Sequence, residues 1–578
     1  MTPSTGKRRA RRLTVVAPLA ALTVASTALL ASTSGTLAAW TDDEYVSTGA
    51  GVMVAGDCST TTLFKTESTA RQVSGSLGGQ DLDTLADVEG IQVGNTSGTV
   101  TVAPSTATRI DSVTYTTALE AGALGSPLLS AKVGLNQAAG NAGAYTQWAR
   151  ARASGQAAGA AGLVSDQSGA IHATGTADGS TSTPTTASIN LASFIPTSQA
   201  AMTLDVGAVA SSSEMDACVL NNGWPSLNPA PLVARDYGIA ALGLNLSAPA
   251  IGPMTTSVSR TLNAIPENLT ALASPTGSLT TSINLGVAGL IPAGALSLGG
   301  VSTEITFGAP DLTAARQLLG RTITDGVVTI DLATARIHFD LARLTYGPAG
   351  LNDRPANTQV LLNAAAVQDL TKRISALLQK WADDMTAEID KAVAATSLTI
   401  ESRVLLRTSV RLGLVDIDVD AAEVTLGYDT TAGALLSESP PAPTPSTKVL
   451  GTPDLGLLNS VTDALVGGTG GVVAGALDTA LTVTGGLLPT AEAAVRSAVV
   501  PVTKEAETAL APLADTLTLT VNVQPDQPGA PAGNAAAGSA AEGEYKVSAL
   551  RVGAVGSTAE LYLATASAGP VVFRPAAG

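Results

Sequence analysis

Histidine and cysteine are nearly missing from this chain. In 578 residues there are two of each: His172 and His338, Cys58 and Cys218. Two isolated histidines provide no HExxH helix and no paired ligand spacing, which argues against a histidine-built zinc centre. His338 stands within an alternating strand pattern and reads as a structural residue. No G-x-S-x-G elbow, no P-loop and no GxGxxG following a strand is present. Aromatic residues make up 3% of the chain, with four tryptophans: Trp40, Trp148, Trp224 and Trp381. Sugar binding by aromatic stacking therefore has little support, and hydrophobic cores must be built from Ala, Val, Leu and Ile. Charge is also scarce, at 13%, and its balance is acidic, −16. A surplus of acid disfavours nucleic acid, whose phosphates need a basic face, and equally an anionic bilayer surface. It suits a soluble exported protein.

Export is written at the N-terminus. Lys7 to Arg12 is basic, Leu13 to Ala31 is apolar, and small residues follow at Gly35, Thr36, Ala38 and Ala39. This is the pattern of a secretory signal over residues 1–39, with cleavage at Ala38 or Ala39, before Trp40. Removal takes Lys7, Arg8, Arg9, Arg11 and Arg12, leaving 26 basic against 47 acidic residues, or −21. The expectation is a protein with no membrane attachment after cleavage. Two cysteines in an exported chain most simply form one bridge, Cys58–Cys218.

Residues 40–230 are rich in Ser, Thr and Gly. Short alternating runs, Ile91 to Pro104, Ala107 to Leu119 and Ala187 to Phe194, predict an all-β domain. The Ala-rich stretch 131–165 predicts a helix around Tyr145 and Trp148. Beyond residue 230 the pattern changes. Val367, Leu370, Ile374, Leu377, Trp381, Met385, Ile389 and Val393 form a stripe of threes and fours, one face of a long amphipathic helix. It runs into an extended segment, Thr396 to Val404. A similar order occurs twice more, with Gly277–Leu285 after a stripe of Met254, Val258, Leu262, Ile265, Leu269 and Leu272, and with Asp515–Val523. Leu279, Leu398 and Leu517 are spaced evenly, and Glu304, Glu423 and Glu560 mark a later strand. Three tandem helix-plus-sheet units follow: 231–308, 309–436 and 448–578. A Pro/Ser/Thr linker at 437–447 and an inserted Pro/Gly/Ala loop at 524–543 interrupt them. Residues 464–488 are Gly- and Val-rich without a clear period. The fold expected is α+β, β-rich and multidomain, an N-terminal all-β domain followed by these units.

The sharpest constellation is VDIDVD. On a strand Asp416, Asp418 and Asp420 share one face, about 7 Å apart, and could hold Ca²⁺ with a neighbouring loop. The EF-hand register is absent, with Ala421 where its glycine belongs and Gly427 where its glutamate belongs. The plainer expectation is a solvated carboxylate face above a buried apolar one.

Two resemblances bear on function. GTLAAWTDDEY, Gly35 to Tyr45, resembles the SipW/TasA-type signal of Gram-positive biofilm-fibre proteins. The NTQVLLNAAAVQDLTKRISALLQKW helix and the closing EYKVSALRVGAVGSTAELYLATASAGP are similar to the choice-of-anchor G surface proteins of high-GC Gram-positive bacteria. No LPxTG sorting motif or apolar tail is recognised, and the resemblance brings no catalytic residues. Together these readings predict a secreted or cell-surface structural or adhesion protein that is not an enzyme and has no cofactor beyond Ca²⁺. Its expected partners are cell-envelope or matrix components or further copies of itself, with no nucleic acid. The alternative is a biofilm-matrix fibre subunit joined by strand addition, and after it an extracellular hydrolase.

Overall fold

A computed structural model describes residues 57–77, 80–82, 90–118, 135–136, 145–171, 187–191, 202–291, 296–360, 362–412, 415–451, 455–531, 540–554 and 559–574. The expected cleavage residues Ala38, Ala39 and Trp40 lie outside these, as does His172. The protein is α+β and β-rich, with several sheets.

The long stripe forms helix where its spacing predicts it. Three helices matter first: α1 (Ile251–Ala273), α2 (Ser278–Ala288) and α3 (Ala364–Ala394). In α3 every stripe residue is buried except Leu377, whose place is taken by Leu378. The Asn363 side chain accepts from the Ala366 N–H at 2.9 Å and caps the first turn. The Trp381 indole N–H donates to the Leu318 carbonyl at 2.9 Å, so this large core residue leaves no buried donor unmet.

The expected extended segment Gly277–Leu285 is instead α2. Its Leu279, Ile283 and Val287 are buried at steps of four, while Leu285 is exposed. A run of Leu, Ile and Leu separated by Thr, Ser and Asn satisfies a helical period as well as an alternating one. The first copy of the proposed repeat therefore lacks its strand at this mark. The other two copies have theirs, in strands Ser397–Leu412 and Leu517–Val523.

Two more helices complete the helical layer, α4 (Leu455–Leu481) and α5 (Leu487–Leu510). The Gly- and Val-rich stretch thus begins as α4, and it has a period: Leu458, Val461, Leu465, Thr469, Val473, Leu477 and Leu481 are buried. By length and composition α4 is apolar enough to cross a bilayer, but here that stripe lies in the core. The expected linker at 437–447 overlaps a strand, Thr444–Val449, on the edge of a four-stranded sheet whose order is Leu296–Phe307, Ser397–Leu412, Val415–Thr431, Thr444–Val449. Pro445 is tolerated there because an edge strand need not donate on both sides.

Alanine decides the packing of the β layers. Around Trp148, where a helix is expected, the described part of the Ala-rich stretch is a strand pair, Thr146–Ala151 and Gln156–Gly162. Ala has the best helix propensity, but propensity yields to tertiary demand. The pair belongs to a six-stranded sheet, which also holds Val209–Asn221 and Trp224–Ile239. This sheet faces an eight-stranded one so closely that a Cβ on Gly159 would sit 2.4 Å from the Thr69 carbonyl oxygen. Sheets bearing ordinary side chains stack about 10 Å apart. Only Ala, Gly and Ser allow such an approach, and serines bridge it: Ser211 donates to the Ala564 carbonyl and Ser213 to that of Tyr545, each at 2.7 Å.

The sheets draw strands from both sides of the boundaries expected at 230 and 436. In the eight-stranded sheet the N-terminal strand Phe64–Leu77 lies between Glu560–Phe573 and Ile91–Thr96, with Lys65 opposite Val572. In a seven-stranded sheet Leu242–Ser247 lies between Met202–Val206 and Arg336–Asp340. From Gly56 onward the chain clusters as one compact unit.

Candidate interaction surface

The expected bridge is formed: Cys58 and Cys218 are disulfide-bonded, with their Cα atoms 5.8 Å apart. It staples the start of the described chain to a long hairpin of strands Val209–Asn221 and Trp224–Ile239, closed by Asn222 and Gly223. Both turn residues have positive φ, 50° and 82°, as a two-residue turn matching the strand twist requires.

The two ends of this hairpin differ in chemistry. Its base is anchored by charge and hydrogen bonds. Asp216 accepts from the Gln156 amide at 3.0 Å and from the Cys218 N–H at 3.1 Å. Arg235 grips the Asp526 carboxylate with both terminal nitrogens and lies over the Tyr545 ring, 5.7 Å from its centroid. The distal part, Ala217 to Ala234, contains no Asp, Glu, Lys, Arg or His. It exposes Val219, Leu220, Trp224, Leu227 and Leu232, with Trp224 at 62% and Leu232 at 75%. Trp224, counted among four tryptophans that gave stacking little support, stands beside an Asn-Asn-Gly turn between two alternating runs, the mark of a hairpin tip.

A second pair of strands, Ser397–Leu412 and Val415–Thr431, projects past its neighbours as a ribbon. The adjoining strands reach only Thr408 on one side and Ala422 on the other. Asp416, Asp418 and Asp420 do share one face, as expected. In register they stand opposite Arg411, Ser409 and Arg407. Asp420 accepts from Arg407 at 2.9 Å, Asp418 from the Ser409 hydroxyl at 3.0 Å, and Asp416 lies 3.8 Å from Arg411. Among the described residues no group of three metal-ligating side chains is gathered. The other face departs from expectation. Ile417 and Val419 are not buried beneath the carboxylates; both are exposed, as is Val410 across the strand.

His338 is partnered within its sheet. Its Nδ1 lies 2.8 Å from the Asn245 side-chain oxygen, and the Asn245 amide nitrogen donates in turn to Asp205. With its amide nitrogen turned to Asp205, Asn245 presents its side-chain oxygen to Nδ1.

Clefts open among the described helices. One, of about 480 Å³, opens where the α1–α2 and α4–α5 turns meet, lined by Ala264, Asn268, Ser278 and Thr490 among others. Another, about 440 Å³, lies between α3 and α5 beside Gln379, Arg496 and Lys504. Arg496 is occupied by Asp383 and Glu492, at 2.7 and 2.8 Å.

No curated protein and no solved structure matches this chain. One family does, described as a domain of unknown function, DUF8394, over residues 68–569. That span takes in the hairpin, the ribbon and every helix above, and the chain belongs to the DUF8394 family.

Proposed function

We propose that this is an extracellular, non-catalytic protein of the cell surface that works by contact, with the stapled hairpin as its contact element. The observation that carries the reading is the hairpin itself: a disulfide-held, uncharged tip that exposes Trp224 on an otherwise acidic chain. Disulfides persist in oxidising compartments, which agrees with the signal pattern of residues 1–39. The resemblance to choice-of-anchor G surface proteins supports the same location. Exposed apolar side chains on a rigid tip are the kind of feature that marks a binding surface.

The test is protease shaving of intact cells that express the full chain. Digestion of the folded protein without lysis is expected. A protein protected until lysis would overturn the reading. The fibre alternative draws on the open edge strand Thr444–Val449, exposed along its whole length. Pro445 and Lys448 on that edge discourage strand addition, so discrete particles are expected by negative-stain microscopy. Regular filaments would favour the fibre instead.

A further inference from the structure

We infer that the hairpin tip, Ala217 to Ala234, is a binding site for neutral polysaccharide, with the Trp224 indole as the platform on which a sugar ring stacks. This rests on the surface-contact reading and adds the ligand class. The first argument is charge. A stretch of 18 residues without an ionisable side chain, bounded by Asp216 and Arg235, offers nothing to a nucleic acid, an acidic peptide or an anionic lipid.

The second argument is the company Trp224 keeps. In register Asn221 stands opposite Trp224, and Ser226 opposite Val219. Opposed residues share a face with their Cβ atoms about 5 Å apart. The indole therefore shares its face with an amide, a hydroxyl and the exposed Val219, and the amide and hydroxyl have no side-chain partner among the described residues. Leu220 and Leu227 alternate onto the opposite face. A sugar ring presents apolar C–H faces and a hydroxyl rim, so an exposed indole beside polar side chains fits it. A protein hot spot calls for a closed apolar surround that excludes water, which Val219 alone does not supply on this face.

The third argument is against a second copy joined by pairing to the outer strand. Pro225, Pro229 and Pro231 delete three amide donors from the outer strand, and residues 228–231 fall out of register between Leu227 and Leu232. The tip is rigid as well. Positive-φ turn residues and the Cys58–Cys218 bridge fix it before any ligand arrives, which lowers the entropy lost on binding.

The test is affinity gel electrophoresis of the full chain in soluble cellulose ether, β-1,3-glucan, mannan and starch, with alginate as the charged comparison. Retardation by at least one neutral polymer and none by alginate is expected. Trp224→Ala should weaken that binding roughly thirty-fold or more, as loss of an aromatic anchor does. Leu220→Ala, on the opposite face, should change it less than about threefold. Unchanged thermal unfolding of both variants guards against misfolding. Three results would overturn the inference: no retardation by any neutral polymer, undiminished binding by Trp224→Ala, or a concentration-dependent dimer that Trp224→Ala abolishes. The surface-contact reading is judged separately by shaving of intact cells and can survive each of them.

Discussion

At the scale of single residues, a deeply buried electrostatic commitment is the pair Arg551–Glu560. The guanidinium donates to the carboxylate at 2.8 Å and to the Thr518 hydroxyl at 3.2 Å, and the Tyr562 hydroxyl donates to the second carboxylate oxygen at 3.1 Å. Both charged side chains are more than nine-tenths buried. Burial, reinforced by the Glu560 charge, pushes the Tyr562 hydroxyl up to about 12. Arg551→Ala would leave Glu560 uncompensated and should cost about 3–5 kcal/mol in urea unfolding, while replacing both members by apolar residues should cost much less. Smaller carboxylate effects set the acid limb of stability. Burial alone would raise Asp325, but the Val328 N–H, Arg373 and the Val327 N–H together hold it below its ordinary 3.8. The Thr334 hydroxyl and N–H do the same for Asp331. An acid with a depressed folded pKa contributes stability above 3.8 and loses it as pH falls through the folded value. Asp236 has the opposite sign, raised chiefly by burial against the Tyr237 N–H, so it weakens the fold as pH rises above 3.8. Comparing wild type with Asp325→Asn/Asp331→Asn isolates the first effect. The double variant should lose less stability than wild type below pH 4, and an equal loss in both would refute the assignment.

At the scale of elements, helices were legible where burial alone sets the pattern and illegible where packing between helices does. The α3 stripe could be read because its large apolar residues alternate with charge. In α4 the period was hidden by glycines 467, 468, 470, 471 and 475, which weaken helix propensity and blur the polar face. One of them serves close approach: a Cβ on Gly468 would sit 2.6 Å from a Leu290 methyl, whereas at Gly467, Gly471 and Gly475 it would meet open space. The same holds where α2 crosses α4, for a Cβ on Gly286 would stand 2.3 Å from a methyl of Val472. Valine is stiff about its first torsion and cannot swing aside at no cost. Gly286→Ala should therefore destabilise by about 1–3 kcal/mol despite its better helix propensity. Gly286→Ala combined with Val472→Ala should recover part of the loss in a double-mutant cycle. A stabilised Gly286→Ala would show that the two helices can part. The hairpin tip was readable in outline from its turn, whereas the exposure of Trp224 depends on how far the hairpin outruns its sheet, which no local pattern records.

At the scale of the whole molecule, what a single sequence hides most completely is pairing at long range. Nothing in Phe64–Leu77 names Glu560–Phe573 as its neighbour, yet the two strands share register from Phe64–Phe573 to Ser76–Glu560. Their alternation shows only that each is a strand. This pairing has a consequence for how the chain folds. The eight-stranded sheet cannot close until the last strand is synthesised, a loop closure of nearly the full length and therefore slow. It also means that cutting at residue 230, where the composition changes, would expose the edge of Glu560–Phe573 and the alanine-lined face it shares with the stapled hairpin. A fragment of residues 231–578 should aggregate or bind a hydrophobic dye, because a paired edge and a buried face become solvent-exposed together. Co-expression with residues 57–230 should restore a soluble complex with the melting profile of the intact chain. If the 231–578 fragment is instead monomeric and melts cooperatively at the intact chain's temperature, the inter-sheet serine bridges and the N-terminal strand add little. The tandem units would then stand as independent domains.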